Sequence, residues 1–261
     1  VYGFITAQEI PLVYPKNWPV VFVNKDRKLA YEEKFGCSNT SYIKERLDIN
    51  RFKFKIREEA VSQRIGLITR LDPLKEKSIN HVLKFFEYYA DGNKNCSFHI
   101  IGGGVLLDRY RLEYSERNFI FKGEVLEIEK ELAELDVVFA MASTVLQSMA
   151  SNCVSVVCGD SGIQGVVTMK TVKRFSDYHF NIHNEQGKSF RELSDEIEHY
   201  LGNRRELHFY ESFIKNNYSV VKGVDKIEDL VCKRYIKGGG YEALVSVISY
   251  KIQTLWKRLI K

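Results

Sequence analysis

The stretch from Asp136 to Val157, DVVFAMASTVLQSMASNCVSVV, restricts the fold of this chain more than any other. An apolar run, Val137-Val138-Phe139, ends in Ala140-Met141-Ala142. Ser143-Thr144 then open a short helix, and a second apolar run from Val154 to Val157 follows closely. That spacing predicts strand, tight turn, helix and strand, the unit of one parallel βαβ crossover. Ser143 or Thr144 suits the N-cap. The free amides of that helix start would lie at the carboxyl end of a strand, where open α/β sheets bind anions. A phosphate-bearing ligand is therefore expected.

The same pattern extends on both sides. Strand-like runs occur at Val20–Val23, Ile65–Thr69, Ser97–Ile101, Phe119–Phe121, Val137–Ala140, Val154–Cys158 and, more weakly, Val166–Thr168. Most are continuous apolar runs, as strands covered on both faces require. Helical spacing appears at Asp26–Lys34, Ile79–Ala90, Leu106–Ser115, Glu127–Leu135 and Ser143–Ser151. Ile79, Val82, Leu83 and Phe86 share one face of the second of these. The expected fold is α/β, a Rossmann-like doubly wound parallel sheet, followed by helices near Ser189–Leu201, Arg205–Asn216, Asp225–Tyr235 and Tyr241–Lys261. Residues 1–60 read as an edge strand, a helix and a linker of the same domain; 61–200 form the ligand-binding domain and 201–261 the C-terminal helices.

Composition narrows the partners. Thirty-nine Lys and Arg oppose 34 Asp and Glu, a net +5, and residues 233–261 alone hold seven basic residues and one acid. The remainder is close to neutral, which does not suit nucleic-acid binding. The last segment, 241–261, reads as a basic amphipathic helix. It suits an anionic membrane surface or packing across another domain, and packing is the commoner need. No apolar run is long enough for a membrane-spanning helix, and no signal-peptide pattern is visible. The five cysteines show no metal or disulfide spacing, and Cys96, Cys153 and Cys158 read as reduced residues in or beside apolar runs. A cytoplasmic setting fits.

Four strand ends could carry chemistry. Arg70 closes an apolar run and Lys75 follows through Asp72-Pro73, so the two could clamp a diphosphate; a surface loop with solvated charges fits equally by position alone. Gly102 and Gly103, in Ile100-Ile101-Gly102-Gly103-Gly104, would allow close backbone approach, or form a plain turn. Lys122, Gly123 and Val125 mark the third end. The fourth is the Ser143-Thr144 helix start, with Gln147 one turn on. All four fall on one rim of the expected sheet, which carries more weight than any single motif. The pair His179 and His183 could hold a metal on a helix, but Asn181 and Asn184 point to a loop. Walker A, G-x-S-x-G and dinucleotide fingerprints are absent.

RLDPLK (70–75), IIGGG, FKGEV (121–125) and the 136–157 run together resemble the donor-binding half of GT-B glycosyltransferases, closest to the retaining enzymes of glycosyltransferase family 4. GDSGIQGVVT (159–168) is similar to a glycine-rich segment of that family. The resemblance implies that Arg70, Lys75 and the Ser143-Thr144 amides bind the donor diphosphate. Backbone groups at 122–125 border the base, and Gln147 takes the place of a ribose-binding Glu. It implies no metal or other cofactor and assigns no catalytic residue. Three positions depart from the family: Gln147 is neutral, the upstream acid of the paired-Glu motif has no counterpart, and Thr69 stands where Gly often precedes the Arg.

The expectation is thus the donor half of a hexosyltransferase of surface polysaccharide synthesis, incomplete without an N-terminal acceptor domain. Its partners would be a nucleotide sugar, a saccharide or lipid-linked acceptor and, through 241–261, the inner face of the membrane. A degenerate module that binds a partner protein without turnover is the alternative, favoured by Gln147 and the missing acid.

Overall fold

The computed structural model describes residues 3–5, 20–23, 25–36, 40–44, 46–54, 63–182 and 185–235. The elements in order are β1 (Gly3–Ile5), β2 (Val20–Phe22), α1 (Lys25–Phe35), β3 (Thr40–Tyr42), β4 (Gln63–Ile68), α2 (Glu76–Gly92) and β5 (Cys96–Ile101). There follow α3 (Leu107–Glu113), β6 (Phe119–Gly123), α4 (Ile128–Glu134), β7 (Val137–Ala140), α5 (Ser143–Ala150), β8 (Val154–Gly159) and β9 (Gly162–Val166). The chain closes with α6 (Val172–Asp177), α7 (Phe190–Gly202), α8 (Phe209–Asn217) and α9 (Val220–Tyr235). It divides into two compact units, 1–219 and 220–261, so α9 belongs to the second. The basic segment 241–261 lies outside the described residues.

The main sheet has six strands in the order β6-β5-β4-β7-β8-β9. Its first five strands are parallel, as alternating strand and helix dictate. The order turns back beside β4, with β5 and β6 on one side and β7 to β9 on the other. Strands β7 and β8 are buried at every residue, which is why they read as unbroken apolar runs. Edge strand β6 alternates instead, leaving Ile120 exposed.

The last strand departs from the all-parallel expectation: β9 runs antiparallel to β8. Only Asp160 and Ser161 separate the two, and a parallel crossover needs a dozen or more residues, so a hairpin is the one available connection. The strand expected at Val166–Thr168 ends at Val166. It is built from the glycine-rich GIQGV, which carries no apolar run to announce it.

Among the described residues, the first sixty pair with no edge of this sheet. They contribute a separate three-stranded parallel sheet, β1-β2-β3, with a small core of Val20, Phe22 and Tyr31. Strands β1 and β3 are three residues each, too short to show a period in sequence. A bridge from Leu47 to Ser219 ties the following segment back near the end of α8.

Helix α2 packs over the sheet through rings. Phe85 stands 5.3 Å from Phe139, and Phe86 stands 4.6 Å from Phe98 and 5.3 Å from Phe139, coupling the helix to β5 and β7. Its helical start follows Asp72-Pro73, where extended backbone before Pro gives way to a short 3-10 turn at Pro73–Lys75. Under the opposite end of the sheet, the buried carboxylate of Asp136 accepts from the Arg64 amide at 3.0 Å and from Arg204 at 3.2 Å. This pair fastens the turn after α7 to the start of β7.

Breaking one partner of a buried ion pair costs about 3–5 kcal/mol because the other charge stays desolvated. Arg204→Met should lower the unfolding free energy from urea titration by that much. Surface Lys173→Met, which removes only an exposed pair with Asp177, should shift it by less than about 1 kcal/mol.

Candidate functional site

The carboxyl ends of β4, β5 and β6 are laced by backbone hydrogen bonds. The Thr69 amide donates to Ile101 O at 3.1 Å, Leu71 N to Gly103 O at 2.8 Å, and Gly102 N to Gly123 O at 2.8 Å. Leu106 N returns to Leu71 O at 3.0 Å. These bonds set the loops after three strands side by side. The approach is so close that a Cβ on Gly102 would fall 1.8 Å from Thr69 O, and one on Gly104 would fall 2.2 Å from Leu71 O. Both residues also hold positive φ, +146° and +141°. The glycine turn is therefore demanded first by the neighbouring strand end, and ligand access comes with it.

On the other side of β4, the turn from β7 into α5 differs from the expected cap. The helix begins at Ser143, and the residue in the cap position is Ala142, with φ 52° and ψ −130°. Neither Ser143 nor Thr144 acts as the side-chain cap. Ala142 is held by its amide, which donates to Phe180 O at 2.9 Å, while its carbonyl accepts from Val145 at 3.1 Å. A non-glycine residue in this region stores of order 1–3 kcal/mol of strain, and such strain gathers at functional turns. No backbone carbonyl among the described residues accepts from the Ser143 or Thr144 amide. They form the positive end of the helix dipole.

The strand ends and the helix start enclose one cleft of about 540 Å³. Arg70, Gly102, Gly103, Val125, Thr144 and Gln147, six of the sequence-derived residues, line it. Arg70 is exposed and has no ion-pair partner among the described residues, whereas Arg64, Arg109 and Arg117 are each paired. A free guanidinium at a cavity wall is available to an anion.

The other sequence-derived residues lie around the lining. Lys75 places Nζ 3.4 Å from Thr69 Oγ1, at the foot of the Arg70 wall. Its charge also reaches buried Cys158: burial pushes that thiol up to about 12, and Lys75 is among the groups opposing the rise. Ser143 is half-buried just behind Thr144. Gly123 supports the cleft through its carbonyl, and Lys122 turns aside to pair with Glu131. His179 sits in a turn with φ 55°, not on a helix, and His183 lies outside the described residues.

Sequence reasoning passed over Thr69, Glu124 and Ile128 as lining residues. Glu124 lies inside the FKGEV run, but nothing local marks which way a loop side chain turns.

Neither a family model nor a curated protein matches this chain. Solved structures do. TarM of S. aureus superposes with a TM-score of 0.57 at 18% identity, over 81% of this chain and 43% of TarM. Anabaena HepE in complex with UDP gives 0.58 at 14% identity, over 82% of this chain and 63% of HepE. A glycosyltransferase from Rickettsia africae gives 0.60 at 13% identity, over 84% and 64%. At these identities the likeness is one of fold, and the fold is that of GT-B glycosyltransferases. The chain spans about half to two thirds of the length of the structures it matches.

The glycine turn makes a clear expectation. Gly102→Ala should cost at least about 2 kcal/mol in chemical denaturation, since backbone must move. Gly92→Ala, where an added Cβ meets nothing within 4 Å, should be neutral or slightly stabilising.

Proposed function

We propose that this chain is the donor-binding half of a glycosyltransferase that takes a hexose from a nucleotide-diphosphate sugar to a saccharide or lipid-linked acceptor in surface polysaccharide synthesis. The observation that carries the reading is that Arg70, the Gly102-Gly103 turn, Thr144 and Gln147, from three separate strand ends, line one cleft beside β4. In an open α/β sheet, that reversal of strand order is where a nucleotide lies. The HepE and TarM structures, which hold UDP in related folds, support it.

In this reading the bond between the anomeric carbon and the diphosphate oxygen breaks, and its electrons leave with the nucleoside diphosphate. Arg70, Lys75 and the Ser143-Thr144 amides meet that charge, with no metal or cofactor taking part. Gln147 hydrogen-bonds the ribose diol, less strongly than a carboxylate would. The acceptor is held by a second half that closes over the rim; its hydroxyl oxygen bonds to the anomeric carbon as the diphosphate leaves, and its proton passes to the departing diphosphate. Leu74, Val105 and Leu126, one from each loop, stand almost fully exposed at the rim and would be covered by that half. Among the described residues, free Cys96, Cys153 and Cys158 fit a reducing cytoplasm, where the enzyme would work at the inner membrane face.

Calorimetric titration with nucleoside diphosphates tests the reading. Wild type should saturate, and Arg70→Ala should weaken binding about 10- to 100-fold by removing hydrogen bonds to a charged group. Arg70→Lys should recover part of the loss, since the charge returns without the fork. Equal affinity of wild type and Arg70→Ala would remove Arg70 from the diphosphate site.

A further inference from the structure

The cleft contains an acid that the diphosphate cannot explain. Among its described lining residues the acidic one is Glu124, in the loop after β6. It lies beside the glycine turn: a Cβ on Gly103 would stand 3.2 Å from Glu124 Cβ and 3.5 Å from its Oε2. No cation or hydrogen-bond donor among the described residues pairs with its carboxylate. Lys122, two residues earlier, pairs with Glu131, and Lys130 pairs with Glu127. The lysines nearest it in sequence are thus satisfied elsewhere, and the exposed Glu124 is left to face the cleft.

Its place in the sheet says which part of a ligand it meets. Between β6 and the phosphate end at β7 stand β5 and β4. At about 4.8 Å per strand, this puts about 14 Å of sheet between the two ends. That span is comparable to an extended nucleoside diphosphate. With the diphosphate at Arg70 and Thr144 and the ribose at Gln147, the base reaches Glu124. Ile101, Val125 and Ile128 supply apolar surface at the same end.

An ionised carboxylate only accepts hydrogen bonds. Guanine offers it two neighbouring donors, N1–H and the N2 amino group, on one edge. Uracil offers a single N3–H between two carbonyl oxygens, which a carboxylate repels. Adenine and cytosine each set one amino donor beside a ring-nitrogen acceptor. We propose that Glu124 is a specificity-determining residue that selects guanine, so that the donor is a GDP-sugar in preference to a UDP-sugar. This rests on the donor-site reading of the cleft and deepens it.

Calorimetry of the full chain with GDP, IDP and UDP, on wild type, Glu124→Gln and Glu124→Ala, tests the assignment. Wild type should bind GDP at least about tenfold tighter than UDP, because guanine gives the carboxylate two charge-assisted hydrogen bonds and uracil sets carbonyl oxygens against it. IDP, which keeps N1–H but lacks the amino group, should fall between. Both variants should bring the GDP-to-UDP ratio close to one, chiefly by weakening GDP, and circular dichroism should show their melting unchanged. Wild type binding UDP as tightly as GDP, or a ratio that survives both substitutions, overturns the selection while leaving the donor site standing. Saturation by none of the three nucleotides overturns the donor site and the selection with it.

Discussion

Backbone packed against backbone at the carboxyl ends of β4 and β5 is the constraint on which the site depends. Thr69 O and Leu71 O occupy the space that side chains at 102 and 104 would fill. The hydrogen bonds running between these loops can form only because both positions are glycine. They align the Arg70 loop, the glycine turn and the Gly123 loop through backbone bonds. A cleft made this way takes its walls from the sheet's own backbone bonds, which on the donor-site proposal would hold a charged ligand in one register.

Charge is distributed to match. Most cations near the sheet are spent on carboxylates: Arg64 on Glu134, Arg109 on Glu76, Lys122 on Glu131, Arg204 on Asp136. Arg70 is not, and the free amides of α5 add partial positive charge across the same cleft. At the far end Glu124 supplies the opposite sign. A ligand with an anionic end and a donor-bearing end therefore has one favoured orientation.

The rest of the structure keeps these ends in place. Rings on α2 interlock with β5 and β7, and the Asp136–Arg204 pair fixes the start of β7 from below. The positive φ of Ala142 is sustained by its bonds to Phe180 and Val145, so strain at the mouth is held by packing beyond it.

How much of this could be read from residues alone follows from the range of each interaction. Hydrophobic periodicity is local, so β7, α5 and β8 were legible, as was the α/β order. Runs without a period were not: three-residue β1 and β3, and the glycine-rich β9, whose antiparallel direction follows from a two-residue connection. Arg70, Thr144 and Gln147 could be nominated because strand ends and helix starts are themselves local features. The α5 cap was misplaced because positive φ at Ala142 comes from a carbonyl far along the chain, at Phe180. The sequence by itself determined which strand ends carry cations, glycines and free amides, since those depend on neighbours a few residues away. Only the tertiary structure decided that Glu124 faces the same cleft while Lys122 turns aside. That choice depends on which strands lie adjacent in the sheet, and adjacency is set by burial of the whole core.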